Sequence, residues 1–328
     1  MPEAERKKVV HADPTKDFFV RMITRDIKLQ DCIFDLLDNC LDGANRQISH
    51  LKDAPSENQR YKGYWAKISL DPTKFQIHDN CGGIPLSDAI DYAFHFGRKS
   101  NAPIDAAESI GLYGIGMKRA LFKIGRKIIV ESSTVQEAFS VHINVVEWTK
   151  KDDWDFDYDD IPRKDVVGTQ IKIEDLNEGV GDEFALENFT NSLVRGIARD
   201  YSLFLQKGFS IDVNGNNVTP FVYELREGEH FKPIRIQYTD ELGVVVEIFA
   251  GLAGSPPDDA SAEVRMEKVD YWGWFVLCND RVVLAGNKDN HTVWGDGEFQ
   301  VWHPQYNGFM GVISFRSTDP NKLPWTTT

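Results

Sequence analysis

The stretch DCIFDLLDNCLDGA, Asp31 to Ala44, decides how this chain is read. Ile33, Leu36, Leu37, Cys40, Leu41, Ala44 and Ile48 recur at helical spacing, and Asp35, Asn39 and Asp42 fall on the other side. The spacing therefore predicts an amphipathic helix offering a row of side-chain oxygens. Such oxygens suit a hard cation such as Mg²⁺ and a hydrolytic water. Downstream, GLYGIGMK (Gly111 to Lys118) predicts a glycine-rich turn opening a second helix, a natural cradle for phosphate. Between them, DNCGGIP (Asp79 to Pro85) predicts a tight turn. Together the three read as a nucleotide site.

The rest of the chain frames that site. With 328 residues, 41% hydrophobic and 27% charged, it is long enough for two cores, and two domains are expected, 1–178 and 179–328. A net charge of -14 and a pI near 5.0 argue against a surface built to track nucleic-acid phosphates. Cys32, Cys40, Cys81 and Cys278 form no C-x-x-C pair, so reduced thiols are expected. There is no run of about eighteen apolar residues and no signal-peptide pattern at the start, which predicts a cytoplasmic protein with no membrane contact.

Along the chain, a helix is expected from Pro14 through Ile23, then paired strands at 64–70 and 74–78 and a helix over 86–96. Residues 97–109 are polar and broken by Pro103, as a loop would be. KIIVES, FSVHINVVEW and TQIKIED read as strands. The acidic run KKDDWDFDYDDIPRKD resembles a calcium loop only superficially. With Asp153 as first ligand, Tyr158 occupies the turn position that needs Gly, and Lys164 the position that needs a bidentate Glu. A solvated hairpin is expected instead. Residues 189–206 read as an amphipathic helix, followed by strands near 210–215, 234–250 and 270–286.

The order and spacing of the three motifs resemble the Bergerat-fold (GHKL) ATPases, the family of gyrase B, the ninety-kilodalton heat-shock chaperone, MutL, histidine kinases and microrchidia (MORC) proteins. Asp35, Asp38, Asn39 and Asp42 match its first box, and DNCGG its second, with Cys81 where a Gly is usual. IGLYGIGMKRALFKIG and FGRKS look most like the MORC-type branch and its bacterial relatives. The resemblance implies an α+β fold: a Bergerat α/β sandwich followed by a transducer-like domain with a βαβ crossover, in which VLCNDRVV resembles an Asn-x-Arg strand.

It also implies roles. Asp35 would polarise the water attacking the γ-phosphate, although the family usually has Glu there, which leaves this carboxylate one methylene short. Asn39 would ligate Mg²⁺, and Asp79 would accept from the adenine amino group with Gly83 and Ile84 beside the base. Gly111, Leu112, Tyr113, Gly114, Ile115 and Gly116 would form the phosphate turn, with Lys118 adding charge in a catalytic role. Arg98, Lys99 and Ser100 would belong to the ATP lid, Asp42 to the nucleotide site, and the Thr169 hydroxyl would bond Asp79 or a water beside the base. Lys322 is one candidate for the transducer lysine that reaches the γ-phosphate.

The function implied is a slow, Mg²⁺-dependent ATPase whose lid closure dimerises two copies into a clamp, with an unidentified protein partner. Relatives act on DNA, chromatin or client proteins, and bacterial ones in phage defence; the charge does not indicate nucleic acid here, and the sequence does not choose among these loads. The rival is a nucleotide-gated interaction module that binds ATP with little or no turnover. A histidine kinase is disfavoured because no helix bearing a phosphoacceptor His precedes the first box, and a dinucleotide enzyme because the glycines read G-x-x-G-x-G after a polar loop.

Overall fold

Two β-sheets organise the computed structural model, which describes residues 12, 14–97, 110, 114–230, 232–254 and 272–325. Among the described residues the first helix is α1 (Lys16–Thr24), capped by Thr15, followed by α2 (Leu29–Ser49). α2 buries Ile33, Leu36, Leu37, Cys40, Leu41, Ala44 and Ile48, the face expected from its periodicity. Next come the antiparallel pair β1 (Trp65–Asp71) and β2 (Lys74–Asp79), then α3 (Leu86–Asp88), which loosens into a π-helical turn over Ala89–Ala93 where a regular helix is expected.

After the glycine-rich turn, α4 (Gly116–Ile124) leads directly into β3 (Gly125–Ser133) and β4 (Ala138–Asn144). NVVEW, whose β-branched residues predict strand, is instead the short helix α5 (Val145–Trp148). Asn144 caps it by accepting from the Glu147 amide at 3.3 Å, and buried Trp148 anchors it, so cap and anchor override propensity. The acidic run leads into β5 (Tyr158–Asp160), an exposed strand on the edge of β4. β6 (Gly168–Leu176) follows.

The helical segment expected over 189–206 is broken at Tyr201. After a short preceding helix, α6 (Val180–Ala185), it comprises α7 (Glu187–Asp200) and α8 (Ser202–Gln206). β7 (Ser210–Val213) and β8 (Asn216–Asn217) then return to the first sheet, where β7 runs parallel to β1. The strand order is β5-β4-β3-β6-β2-β1-β7-β8. A boundary at 178/179 thus falls inside a sheet that continues to Asn217, because the parallel partner of β1 lies far along the chain. Helices cover one face of this sheet, and Ile33, Leu37, Ile68, Phe75, Val130 and Ile173 meet in the shared core.

The second sheet contains β9 (Ile234–Thr239), β10 (Val245–Leu252), β11 (Gly273–Cys278), β12 (Arg281–Asn287) and β13 (Phe309–Arg316), in the order β12-β11-β13-β10-β9. Its parallel pair, β11 with β13, is joined through β12 and two 3-10 turns where a helical crossover is expected. Gly, Asn, Asp and Pro punctuate residues 288–308 and leave no helical period there. Phe275 and Leu277 pack with Leu203, Phe221 and Tyr223, tying this sheet to the first unit. The four cysteines are free and buried. Among the described residues, no helix is long and apolar enough to cross a membrane.

Candidate functional site

α2 lies across the first sheet so that its polar side and the ends of β2 and β6 enclose a cleft of about 430 Å³, part of it open to solvent. Asn39, Asp79, Gly83, Ile84 and Thr169 line this cleft together, joined by Cys40, Arg46, Cys81, Met117 and Ile171.

Asp79 sits at the closed end and is almost fully buried. Its Oδ1 accepts from the Cys81 amide at 2.7 Å and the Thr169 amide at 3.2 Å. The Thr169 contact therefore runs through the backbone where the sequence predicts the hydroxyl. Oδ2 faces the Cys40 thiol at 3.5 Å. Burial pushes the carboxyl up to about 6 despite the hydrogen bonds that favour its charge. Gly168 makes this approach feasible, since a Cβ there would lie 1.9 Å from the Asp79 carbonyl oxygen.

In the DNCGG turn, Cys81 keeps an ordinary backbone while Gly82 (φ 94°) and Gly83 (φ 71°) take the left-handed positions, which resolves the missing first glycine. A Cβ on Gly83 would also meet the Ser133 carbonyl oxygen at 2.5 Å. The turn is held from both sides: Ile84 N–H donates to Ser132 Oγ at 2.7 Å, and Arg46 Nη2 donates to the Gly83 carbonyl at 3.3 Å. Arg46 is a cleft residue that motif reading missed. It lies two residues beyond the last residue of the quoted helix motif, and nothing local distinguishes it from a solvated arginine.

Asn39 Nδ2 donates to the Asp35 carbonyl at 2.7 Å, fixing the amide and leaving its side-chain oxygen for a ligand. Among the described residues no group of three or more His, Cys, Asp or Glu could hold a metal. Mg²⁺ takes hard oxygen ligands and keeps several waters and substrate phosphate oxygens in its shell, and the free side-chain oxygen of Asn39 is a ligand of that kind. Asp35, one turn earlier, is paired with Arg119 Nη2 of α4 at 2.8 Å. Burial raises its carboxyl above the usual range, Arg119 opposes this, and Asp38 adds to it.

Two other residues of the first box face elsewhere. Asp42 Oδ1 accepts from the Ile110 amide at 2.7 Å, tying α2 to the chain that enters the glycine turn. Asp38 Oδ1 accepts from the Tyr201 hydroxyl at 2.8 Å and from Arg281 Nε at 2.9 Å. Arg281, at the start of β12, lies 4.2 Å from the centre of the Tyr201 ring, with Asp200 at 3.9 Å. Burial would lower its guanidinium, but Asp38, Tyr201 and Asp200 hold it above its ordinary value.

Lys118 follows the glycine turn on α4. Its ammonium is buried and donates to the Ala93 carbonyl at 2.8 Å and to the Gly114 carbonyl, bracing the glycine turn against the π-helical turn; burial lowers it to about 8. Among the other turn residues, Gly114 has φ 65°, Ile115 caps α4 and Gly116 begins it. Arg98, Lys99, Ser100, Gly111, Leu112 and Tyr113 lie outside the described residues. Lys322 does not line this cleft; its Nζ donates to the Leu242 carbonyl at 2.8 Å.

Residues 27–178 match the family model described as histidine kinase-, DNA gyrase B-, and HSP90-like ATPase. The match covers all three motifs and ends with β6, and it supports ATP binding by this segment. A comparison with curated proteins gave no match.

Proposed function

We propose, from the premise that residues 27–178 carry a GHKL-type ATPase domain, that this protein binds and hydrolyses Mg²⁺-ATP and uses the bound nucleotide to close and pair two copies as a clamp. The observation that carries the reading is that Asn39 and the buried carboxylate of Asp79 line one cleft. Asp79 is the acceptor for the adenine amino group, in a turn kept slim by Gly82 and Gly83. Asn39 would hold Mg²⁺, which supplies charge neutralisation to the triphosphate when bound. Asp35 orients the attacking water and takes its proton, and the first turn of α4 offers backbone N–H groups to phosphate.

ATP can shift an open-to-closed equilibrium only by its difference in affinity for the two states. α1 is docked on its own domain. Buried Lys16 donates to the Trp148 carbonyl at 2.9 Å and the Lys151 carbonyl at 2.8 Å, and Phe19 packs edge-on against Phe96 and Trp154. Moving this helix onto a second protomer would cost those contacts. The load on such a clamp, whether nucleic acid, chromatin, a client protein or a component of phage defence, is left open. A second reading, a nucleotide-gated module without appreciable turnover, is favoured by Asp35 being a shorter carboxylate than a glutamate and by Lys118 being engaged with backbone.

Light scattering with Mg²⁺ and a nonhydrolysable ATP analogue tests the clamp. The parent mass should double and Asn39→Ala should stay monomeric; one mass in every condition removes the clamp. A pH series tests the base contact. Since the carboxylate form of Asp79 is the acceptor, ATP affinity should hold above its value of about 6 and fall as the carboxyl protonates below it. Calorimetry should give a Kd about tenfold weaker at pH 5 than at pH 7.5, and Asp79→Asn should bind weakly with a flat profile.

A further inference from the structure

We infer that Arg119 is the positioning residue for the water-activating carboxylate: it seats Asp35 against the first turn of α4, so that the helix opened by the glycine turn also sets the geometry of hydrolysis. The inference rests on the proposed hydrolysis and adds to it a residue that no motif names.

Four observations support it. Arg119 Nη2 lies 2.8 Å from Asp35 Oδ2, with both side chains largely shielded from water, a setting in which a charge-assisted hydrogen bond fixes a rotamer. Gly116, one helical turn before Arg119, leaves the space the carboxylate occupies, for a Cβ there would stand 3.2 Å from Asp35 Cγ. Asp35 is therefore held between a gap and a clasp on the same face of α4. Only one of its oxygens is engaged by Arg119, and Oδ1 remains for a water. An aspartate reaches less far than a glutamate, so its direction has to be set from outside. The Arg119 Nε is buried without a hydrogen-bond partner, a cost that a purely stabilising surface pair would not carry.

Steady-state kinetics of the full chain test this, with phosphate release measured against Mg²⁺-ATP and binding of a nonhydrolysable analogue measured separately. Arg119→Met should lower kcat by about 10- to 100-fold, the penalty of a carboxylate displaced by about an ångström, while KM and analogue affinity stay within about twofold. Arg119→Lys, which restores a cation but not the planar fork, should recover part of the loss. In an Asp35→Asn background, Arg119→Met should have no further effect on kcat. Thermal melts of each variant separate these effects from loss of folded protein.

An unchanged or raised kcat in Arg119→Met, or a loss confined to KM, overturns the positioning role and leaves hydrolysis standing. Absence of phosphate release from the parent protein, with the analogue still bound, overturns the hydrolysis reading and this role together.

Discussion

Replacing Arg281 with Met should lower stability by about 3–5 kcal/mol, the usual consequence of breaking a buried ion pair from one side. The guanidinium is enclosed, bonded to Asp38 and stacked near Tyr201. Asp200 keeps Arg199 as a partner at 2.6 Å, so Asp38 is the carboxylate left without a cation. Among the described residues, the side-chain bond it would keep is to the Tyr201 hydroxyl, which also lies 2.9 Å from the Phe34 carbonyl. Denaturant unfolding should show the midpoint falling in Arg281→Met. Adding Asp38→Asn should recover much of the difference, because the orphaned charge is then gone. A single variant indistinguishable from the parent would mean the pair contributes nothing. ATP affinity should weaken as well, since Asp38 precedes Asn39 on the same helix.

Asp35→Asn should reduce phosphate release by about 10²- to 10⁴-fold, the range associated with removing a general base. The fold should tolerate the exchange: burial already disfavours the charge on Asp35, and an amide of the same size fills the same place beside Gly116. Nucleotide binding should persist within a few-fold, because Asn39 contacts the backbone carbonyl of residue 35 and not its side chain. Phosphate release by the variant equal to that of the parent would place the reaction elsewhere.

What was legible in the sequence divides along local and distant interactions. α2 could be read because its apolar and polar sides alternate at one period, and the turn after β2 because Gly82 and Gly83 announce positive φ. The ion pairs that tune the site could not be read. Arg119 stands 84 residues from Asp35, and Arg281 stands 243 residues from Asp38. No spacing rule tells an arginine which carboxylate it will meet. The return of β7 to β1 was hidden for the same reason, while α5 was misread because an Asn cap outweighs β-branched residues over four positions. Lys118 looked available because it follows a glycine turn. Its burial against backbone carbonyls depends on the π-helical turn that ends at Ala93, which helical periodicity alone does not reveal.

The closeness of β2 and β6 at Gly168 limits how this pocket can be remodelled. A carbon added at Gly168 would have no room against the Asp79 carbonyl, so that position is closed to redesign, and any reshaping of the pocket falls to the lining side chains of both walls, Thr169 and Ile171 on the sheet and Cys40, Arg46 and Met117 on the helices.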